Sequence, residues 1–541
     1  MSDDLTDEEK QRLDDEFKKV GRLNASSGVE AIDSNLTPEQ EDWLNLKFPN
    51  DPFRNLSGTI TASENQDIIG VNSNSKNLTF EKWQSKVEEK YQNLYDIVKE
   101  HLPDLWDSLE FELSIQKILN IKGCTLPFAG IVLGKPSSMK TVGIEMFRKW
   151  KNSFYTDNFS AKAFVSHSTS VQKKELEQID LLPKIRNKLF LTPELSPTFT
   201  KKDDDLIEIL GIVTRILDGH GYESDTGAHG HRGYHGEYMF VWIGAAVDIP
   251  YKVYKHLGNL GAKLYFLRLS GIEKDEDEYL ADLENDDFIA KTKTIQQALI
   301  EYLNYFEDCP VSKEKNIVKI EWSFEQDDRE SKRYIVKLAR LLAHLRGTVT
   351  TYKTDDPESQ GKDYGYAFAT IEDPRRAIRQ LTNLARGHAL SQGRNYITID
   401  DIPLITRVVL STASIERARI FETLLNFGGQ LTTRQIEDYL NTSPNTAKRT
   451  MAELKALGLA NRQTVPSEHG EPMYQITLDD KFIWFLSEQS KELRYRKNFS
   501  PHNTTQNCKT SKLLGSNFSY GISNVIYQQN ILLHSVIPRS I

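Results

Sequence analysis

The segment from Phe128 to Phe147, FAGIVLGKPSSMKTVGIEMF, is the part of the sequence that most restricts the fold. Its apolar start predicts a buried strand, the loop GKPSSMKT follows at once, and a helical pattern comes after the loop. A strand, a loop and a helix in this order are typical of a phosphate-binding loop, in which backbone N–H groups point at the phosphates. We therefore predict a nucleotide site at residues 134–141.

The chemistry of this loop depends on its last residues. Lys140 is expected to reach the β- and γ-phosphates of ATP, and the Thr141 hydroxyl to bind the accompanying Mg²⁺. The usual pattern, G-x-x-x-x-G-K-[ST], has glycine where this chain has Met139, and methionine adopts positive φ less readily. We therefore expect either a rebuilt loop or weaker nucleotide binding. The alternative to a nucleotide site is an ordinary strand–turn–helix. The predicted cofactor-binding residues are Gly134, Lys135, Pro136, Ser137, Ser138, Met139, Lys140 and Thr141.

Composition limits the class of protein. The chain has 541 residues, of which 38% are hydrophobic and 27% charged, as in soluble globular proteins of several domains. The net charge of −9 gives no global signal for nucleic acid, so any such surface is local. Cys124, Cys309 and Cys508 are far apart, which predicts a reducing, cytoplasmic compartment and argues against zinc. We find no secretory signal and no apolar run of transmembrane length, so no membrane partner is expected.

Apolar segments after the loop predict further strands at 161–168, 189–191, 239–249 and 262–269. Strands that alternate with helices predict a parallel α/β sheet, which binds ligands at the carboxyl ends of its strands.

The strand at 189–191 is followed by Thr192, Pro193 and Glu194. In nucleotide hydrolases the corresponding strand ends in Asp-Glu, where Asp holds Mg²⁺ and Glu orients the attacking water. Glu194 is therefore a candidate catalytic residue. The Mg²⁺-side carboxylate is absent, so Thr192 or a nearby Asp would have to replace it; a strand that ends in a proline turn is the alternative.

The segment GYESDTGAHGHRGYHGEY predicts a hairpin with a flexible tip. With Arg232 and the histidines at its tip, this loop is expected to contact phosphates or DNA, and a plain surface turn is the alternative. A metal site at His229, His231 and His235 is less favoured, because no cysteine or carboxylate completes the set.

Residues 429–465 predict a helix-turn-helix with a wing. One helix spans Thr433 to Leu440, a Ser-Pro turn follows, and a second helix spans Asn445 to Leu457. Base and phosphate contacts come from the N-terminal end of the second helix in such modules, although winged modules also bind proteins. The predicted DNA-binding residues are Asn445, Thr446, Lys448, Arg449 and, from the hairpin, Arg232.

The whole chain is thus predicted to contain six regions. They are a disordered acidic region at 1–77, an ATPase core at 78–270, an acidic helical insertion or linker at 271–318, an α-helical lid at 319–410, a winged helix-turn-helix at 411–485 and a poorly ordered tail at 486–541.

Taken together, residues 80 to 485 resemble AAA+ ATPases, nearest the minichromosome-maintenance helicase-like branch. GKPSSMKT matches the Walker A phosphate-binding motif apart from Met139, and LFLTPEL occupies the position of the Walker B motif. The Gly/His hairpin occupies the position of a hairpin that touches DNA in that branch. The segments LGNLGAKLYFLRL and EDPRRAIRQLTNLARGHALSQGRNYITIDDI resemble the arginine-finger region and the lid.

The resemblance implies bound ATP and Mg²⁺ and a ring of identical subunits that share ATP sites. Lys140, Thr141 and Glu194 would act on one subunit and Lys263 on its neighbour, in the place of an arginine finger. Arg376, or else Arg375, corresponds to the sensor-2 arginine, whereas Ala245 and Ala246 stand where a polar γ-phosphate sensor is usual.

Three functions follow from these features. The first is an ATP-binding and ATP-hydrolysing, DNA-associated protein that acts as a helicase-like motor or replication factor. The second is a DNA-binding regulator or scaffold whose degenerate ATPase domain is a nucleotide switch. The third is an AAA+ remodeller whose winged helix docks a protein.

Overall fold

The computed structural model describes ten segments of the chain. They are residues 73–166, 173–227, 230–261, 263–269, 275–284, 287–311, 313–314, 317–355, 362–466 and 472–495. The predicted disordered region lies outside them up to residue 72, and the predicted tail lies outside them beyond residue 495. Among the helices of these segments, none is long and apolar enough to cross a membrane.

The centre of the fold is a five-stranded parallel sheet, which confirms the predicted α/β architecture. Its strands, in the spatial order β2-β3-β6-β1-β7, are β1 (Phe128–Leu133), β2 (Ser153–Tyr155), β3 (Leu189–Thr192), β6 (Val241–Ala246) and β7 (Leu264–Arg268). All six residues of β1 are buried, because β1 has a neighbour on each side and a layer of helices on each face. A continuous apolar run is what such a strand requires.

The side chains of β1 alternate between two hydrophobic cores. Ala129, Ile131 and Leu133 belong to one core, and Phe128 and Val132 belong to the other. Residues on one face of a strand recur at every second position, so the two cores lie on opposite faces of the sheet.

One predicted strand is wrong. Within 161–168 the structure has a 3-10 turn at Ala161–Ala163, and the sheet is extended instead by the earlier strand β2. Phe164 is fully buried and its carbonyl accepts the Leu182 N–H, while the Ser166 N–H donates to Asp180. The apolar residues of this segment are buried by a turn whose backbone bonds go to the next helices, which periodicity alone does not distinguish from a strand.

Helices cover both faces of the sheet. The ones before the C-terminal module are α1 (Ser73–His101), α2 (Trp106–Ile118), α3 (Lys140–Met146), α4 (Lys173–Ile179), α5 (Leu181–Ile185), α6 (Ser196–Phe199), α7 (Asp203–Ile216), α8 (Tyr251–Leu260), α9 (Glu276–Glu284), α10 (Phe288–Glu307), α11 (Arg329–Leu345), α12 (Arg375–Ser391) and α13 (Ile402–Thr412). Three two-stranded sheets are formed by β4 (Gly221–Thr226) with β5 (Gly230–His235), β8 (Lys313–Glu314) with β9 (Ile317–Val318), and β10 (Thr351–Asp355) with β11 (Lys362–Tyr366).

Helix α10 lies within the region predicted as an acidic insertion or linker, yet it packs on α1 and contributes to the core. Its buried face consists of Ile295, Leu299, Tyr302, Leu303 and Phe306. This face is spaced at helical intervals, so the second half of the region belongs to the folded body of the protein.

The C-terminal module contains three helices and an antiparallel sheet of order β12-β14-β13. Its elements are α14 (Ile415–Asn426), β12 (Gln430–Thr432), α15 (Thr433–Leu440), α16 (Pro444–Ala456), β13 (Ala460–Pro466) and β14 (Pro472–Leu478). Thr432 and Gln435 form a capping box at α15, and Ser443 accepts the Thr446 N–H at the start of α16. Such caps fix where each helix begins. The predicted tail differs from the structure at its start, because Glu488–Tyr495 is a helix, α17, that buries Leu493.

Candidate nucleotide-binding site

The loop between β1 and α3 adopts the backbone conformation that a phosphate cradle needs. Ser137 has φ of 65°, and Met139 has φ of 62° and ψ of −3°, so both are left-handed. Met139 thus occupies the conformation that glycine usually supplies, which for an L-residue costs about 1–2 kcal/mol. Its side chain packs against the larger core, and this burial offsets part of that cost.

Gly134 and Ser138 make the loop tight. A Cβ atom on Gly134 would lie 2.3 Å from Ser138 Oγ, so a larger residue at the start of the loop would require the Ser138 side chain to move. The Ser138 N–H donates to the Lys135 carbonyl at 3.2 Å. Ser138 Oγ is buried and has no hydrogen-bond partner within the described segments. An unsatisfied hydroxyl beside a turn of backbone amides fits a phosphate oxygen.

Lys140 lies folded back over this loop. Its side chain is only 5% exposed, and Nζ donates to the Lys135 carbonyl at 3.4 Å. Thr141, the next residue of α3, is exposed. The ammonium group therefore faces the loop, and Thr141 is open to solvent.

Glu194 lies at the same edge of the sheet as the loop, since both follow the carboxyl ends of parallel strands. It is half-buried, and its Oε1 accepts the Ser196 N–H at 2.8 Å. Ser196 Oγ in turn accepts the Val247 N–H at 3.0 Å. The turn after β3 is therefore tied to the end of β6, and Glu194 holds this turn.

Thr192 does not suit the role of a replacement Mg²⁺ ligand. It is 1% exposed, and its Oγ1 accepts the Trp242 Nε1–H at 2.8 Å inside the core. Its hydroxyl is thus occupied within the sheet. At the end of β6, Ala245 and Ala246 are fully buried, as the apolar pattern predicts.

Sequence reasoning missed a charged pair at this edge. Arg268, the last residue of β7, lies opposite Leu133 in register, and its Nη1 is 3.1 Å from Oδ1 of Asp248, which follows β6. A charged residue directly after a buried strand was the available signal, because the ends of parallel strands meet at one edge. Asp248 is thus an acidic residue at this edge of the sheet, and its described partner is Arg268.

The structure places Lys263 and Arg376 at the opposite edge. Lys263 immediately precedes β7, and both cations bind Asp218 Oδ1 at 2.7 Å. Lys263 also donates to the Thr214 carbonyl and Arg376 to the Leu217 carbonyl. Burial alone would raise the pKa of Asp218, but the two cations outweigh it and lower that pKa. Neither cation is brought to the loop of its own chain, and Arg375 pairs instead with Asp373.

The predicted hairpin is present as β4 and β5, but Arg232 is not at its tip. Arg232 is half-buried in β5, opposite Ser224. His231 lies within 3.5 Å of Glu223 and Asp225, while His229 lies outside the described residues. Among the residues that are described, no group of three His, Cys, Asp or Glu side chains could hold a metal ion.

Apart from Arg232, the predicted DNA-binding residues lie on α16. Asn445 and Arg449 are exposed, and Thr446 and Lys448 are half-buried. Lys448 Nζ lies 5.4 Å from the Tyr474 ring, and Arg449 Nε lies 3.8 Å from Glu453. The β10–β11 hairpin packs along the same helix, with Asp363 bound to Arg462 at 2.6 Å. Part of α16 is therefore covered.

Residues 369–413, which include α12 and α13, match the AAA lid domain. This match indicates an AAA+ ATPase, a class for which nucleotide binding and assembly into rings are usual.

No curated protein sequence matches the chain. Among solved structures, the chain is similar to one described as "The A form apo structure of NrS-1 C terminal region-CTR". The identity is 10%, the match covers 72% of this chain and 75% of that one, and the TM-score is 0.22.

Proposed function

We propose that this protein binds and hydrolyses ATP and couples the ATP cycle to DNA, as a helicase-like motor or replication factor. The observation that carries the proposal is the loop at 134–141. It has two left-handed residues, an unsatisfied buried hydroxyl and a lysine folded over its carbonyls, all at the carboxyl edge of a parallel sheet. Ligands bind at that edge in open α/β sheets.

The donor set fits a triphosphate. Backbone N–H groups of the loop would hold the phosphates, and Lys140 would exchange the Lys135 carbonyl for a phosphate oxygen. Bound Mg²⁺ would neutralise phosphate charge, with Thr141 as its protein ligand and Asp248 at the same edge. Glu194 would release the Ser196 N–H to orient the attacking water.

The roles of Lys263 and Arg376 need a neighbouring subunit. Because both lie at the amino edge on Asp218, we propose that they act across the interface of a homo-oligomeric ring, on ATP held by the adjacent chain. To do so they must exchange Asp218 for phosphate. Lysine lacks the planar fork of arginine, so Lys263 would stabilise the transition state less.

We further propose that the C-terminal module is a winged helix-turn-helix that binds DNA. Its support is the order of elements, in which α15, a short turn and α16 are followed by an antiparallel hairpin. Asn445, Thr446, Lys448 and Arg449 would contact DNA from the start of α16, with Arg232 of the β4–β5 hairpin as a further contact.

The experiment measures ATP turnover with and without duplex DNA, and duplex affinity, for the wild type and four variants. Lys140→Ala is expected to abolish turnover, whereas Lys149→Ala, at an exposed position after α3, is expected to retain it. Lys448→Ala with Arg449→Ala is expected to weaken duplex binding at least tenfold at equal salt, because each cation contributes a phosphate contact. Lys455→Ala, on the last turn of the same helix, is the matched control. Turnover that survives Lys140→Ala would contradict the assignment of the loop.

A second function has its own support. The position of the usual Mg²⁺-binding carboxylate holds Pro193, Thr192 is buried on Trp242, and the end of β6 has only alanines. These features favour a DNA-binding regulator or scaffold that uses ATP as a switch. Saturable ATP binding without turnover, together with retained DNA binding, would select this function over the motor.

A further inference from the structure

A cleft of about 630 Å³ lies where the ATPase core, the lid region and the C-terminal module meet. Its walls come from α8, the segment that follows α11, the start of β10, and α16. We call it the cationic cleft, because Lys255, Arg346, Arg417 and Arg449 line it against two carboxylates, Glu416 and Glu453. The phosphate loop contributes no residue to its lining.

Two of these arginines form a fixed floor. Arg346 is 5% exposed, and its Nε donates to Glu372 at 2.7 Å, while Nη1 is buried without a hydrogen-bond partner in the described segments. Arg417 donates to the carbonyls of Leu345 and Gly347 at 3.1 and 2.6 Å. A buried guanidinium group with a free donor beside a cavity attracts an anion.

The rim of the cleft is aromatic. Phe368 is 94% exposed and Tyr251 is 57% exposed, and both line the cavity. The adjoining β10–β11 hairpin exposes two further rings, Tyr352 and Tyr366. Large aromatic side chains usually bury most of their surface, so a group of exposed rings beside cations indicates a binding surface.

We propose that the cationic cleft binds single-stranded nucleic acid. Lys255 and Arg346 would contact backbone phosphates, and unpaired bases would stack on Phe368 and Tyr251. Stacking on aromatic rings within a positively charged groove is how proteins hold single strands without reading sequence. This inference rests on the nucleic-acid association of the proposed function and names a second surface for it.

The packing of α16 favours a single strand over a duplex at this place. A duplex can reach only those faces of α16 that have clear flanks, because a helix must enter a major groove about 12 Å wide. On the cleft side of α16 the β10–β11 hairpin lies along the helix, and Thr450 and Glu453 line the cleft there. A flexible strand can follow this groove, whereas the hairpin obstructs a duplex on the cleft side and leaves the exposed start of α16, at Asn445, to the duplex.

The test is fluorescence anisotropy with a labelled oligo(dT) of about 20 nucleotides, on the full chain at fixed salt. Phe368→Ala with Tyr251→Ala is expected to weaken binding at least tenfold, since each stacked base contributes about 1–3 kcal/mol. Tyr279→Ala, which removes an equally exposed ring from α9, is the matched control and is expected to stay within twofold. Circular dichroism verifies that each variant is folded.

A second variant reports on the charges. Lys255→Ala is expected to lower the dependence of log K on log salt concentration by about 0.7, the contribution of one phosphate contact in a single strand. An oligo(U) of equal length, run in parallel, distinguishes RNA from DNA as the strand that is preferred.

The outcomes separate this inference from the proposed function. A wild-type protein that binds single strands with unchanged affinity in the Phe368→Ala, Tyr251→Ala double variant would overturn the cleft alone. A wild-type protein that binds neither oligonucleotides nor duplex would overturn both. Loss of single-strand binding in the double variant, with duplex binding intact, would support the cleft as a separate surface.

Discussion

The two edges of the central sheet are built in opposite ways. At the amino edge, Asp218 binds Lys263 and Arg376, and both cations have further carbonyl partners. At the carboxyl edge, the loop holds Met139 in a left-handed conformation and leaves Ser138 Oγ unsatisfied. One edge is therefore held by ion pairs and is stabilising, and the other is strained. Strain that the surrounding structure maintains is a common property of ligand sites.

The carboxyl edge also has an unfavourable buried acid behind its helix. Glu112 of α2 is fully buried and has one hydrogen-bond partner, Ser108, and a Cβ atom on Gly143 of α3 would lie 2.6 Å from its Oε1. Burial raises the pKa of Glu112 to about 8, although the Ser108 hydrogen bond opposes this shift. The contrast between the edges thus extends into the core.

The largest expected effect comes from removing this acid. Because the pKa of Glu112 is raised on folding, its contribution to stability is fully present below its unfolded pKa and is lost as pH rises toward 8. Glu112→Gln has no carboxyl group to titrate and lacks this loss. The difference between its free energy of unfolding and that of the wild type should therefore increase by about 1.4 kcal/mol for each pH unit between the unfolded pKa and pH 8. Urea denaturation from pH 5 to 8 measures it.

His388, whose pKa is raised to about 9 by Asp401 and Glu110 despite its burial, titrates in both proteins, so the difference between them isolates Glu112. Glu100→Gln, at an exposed position of α1, is the control. A constant difference between Glu112→Gln and wild type across this pH range would refute the assignment of a buried neutral acid.

A smaller effect of opposite sign is expected at the amino edge. Asp218→Asn leaves Lys263 and Arg376 without their shared anion, and should lower the free energy of unfolding by about 2 kcal/mol, the magnitude of hydrogen bonds to charged groups. Thermal and chemical denaturation measure it, with Asp308→Asn at an exposed position for comparison. Unchanged stability in Asp218→Asn would mean that the amino edge is not the stabilising one.

The smallest effect concerns Met139. Met139→Val places a β-branched residue in the left-handed region, where such residues are rarely found, and should weaken ATP binding about tenfold, equivalent to about 1.4 kcal/mol. Glycine adopts this conformation without strain, so the affinity of Met139→Gly for ATP should be within threefold of that of the wild type. Calorimetric titration with Mg²⁺-ATP compares the two. Equal losses in both variants would show that the Met139 side chain, and not its backbone, matters.

Features formed by residues close together in the sequence were predictable, and contacts between residues far apart in the sequence were not. The strand, loop and helix at 128–146, the β4–β5 hairpin and the helices α15 and α16 depend on residues within a few positions of each other, so a pattern reveals them. Asp218, by contrast, meets Arg376 from 158 positions away. Arg376 lies on α12, which packs against α2, so only the folded chain brings these two residues together.

A pattern of buried residues also cannot distinguish two backbone conformations that bury the same residues equally well. Phe164 and Val165 are as buried in a turn as they would be in a strand, which is why the predicted strand at 161–168 was wrong. The cationic cleft gave no local signal, because Lys255, Arg346 and Arg449 come from three separate parts of the chain.

The most direct test of the central claim is an equilibrium titration of the purified chain with fluorescent ATP and Mg²⁺. We predict saturable binding by the wild type, and affinity lowered by at least tenfold in Lys140→Ala but unchanged in Lys149→Ala, because a charge-assisted contact contributes about 1.5–3 kcal/mol. A folded wild-type chain that shows no saturable binding, or that binds equally well with Lys140→Ala, would contradict the account.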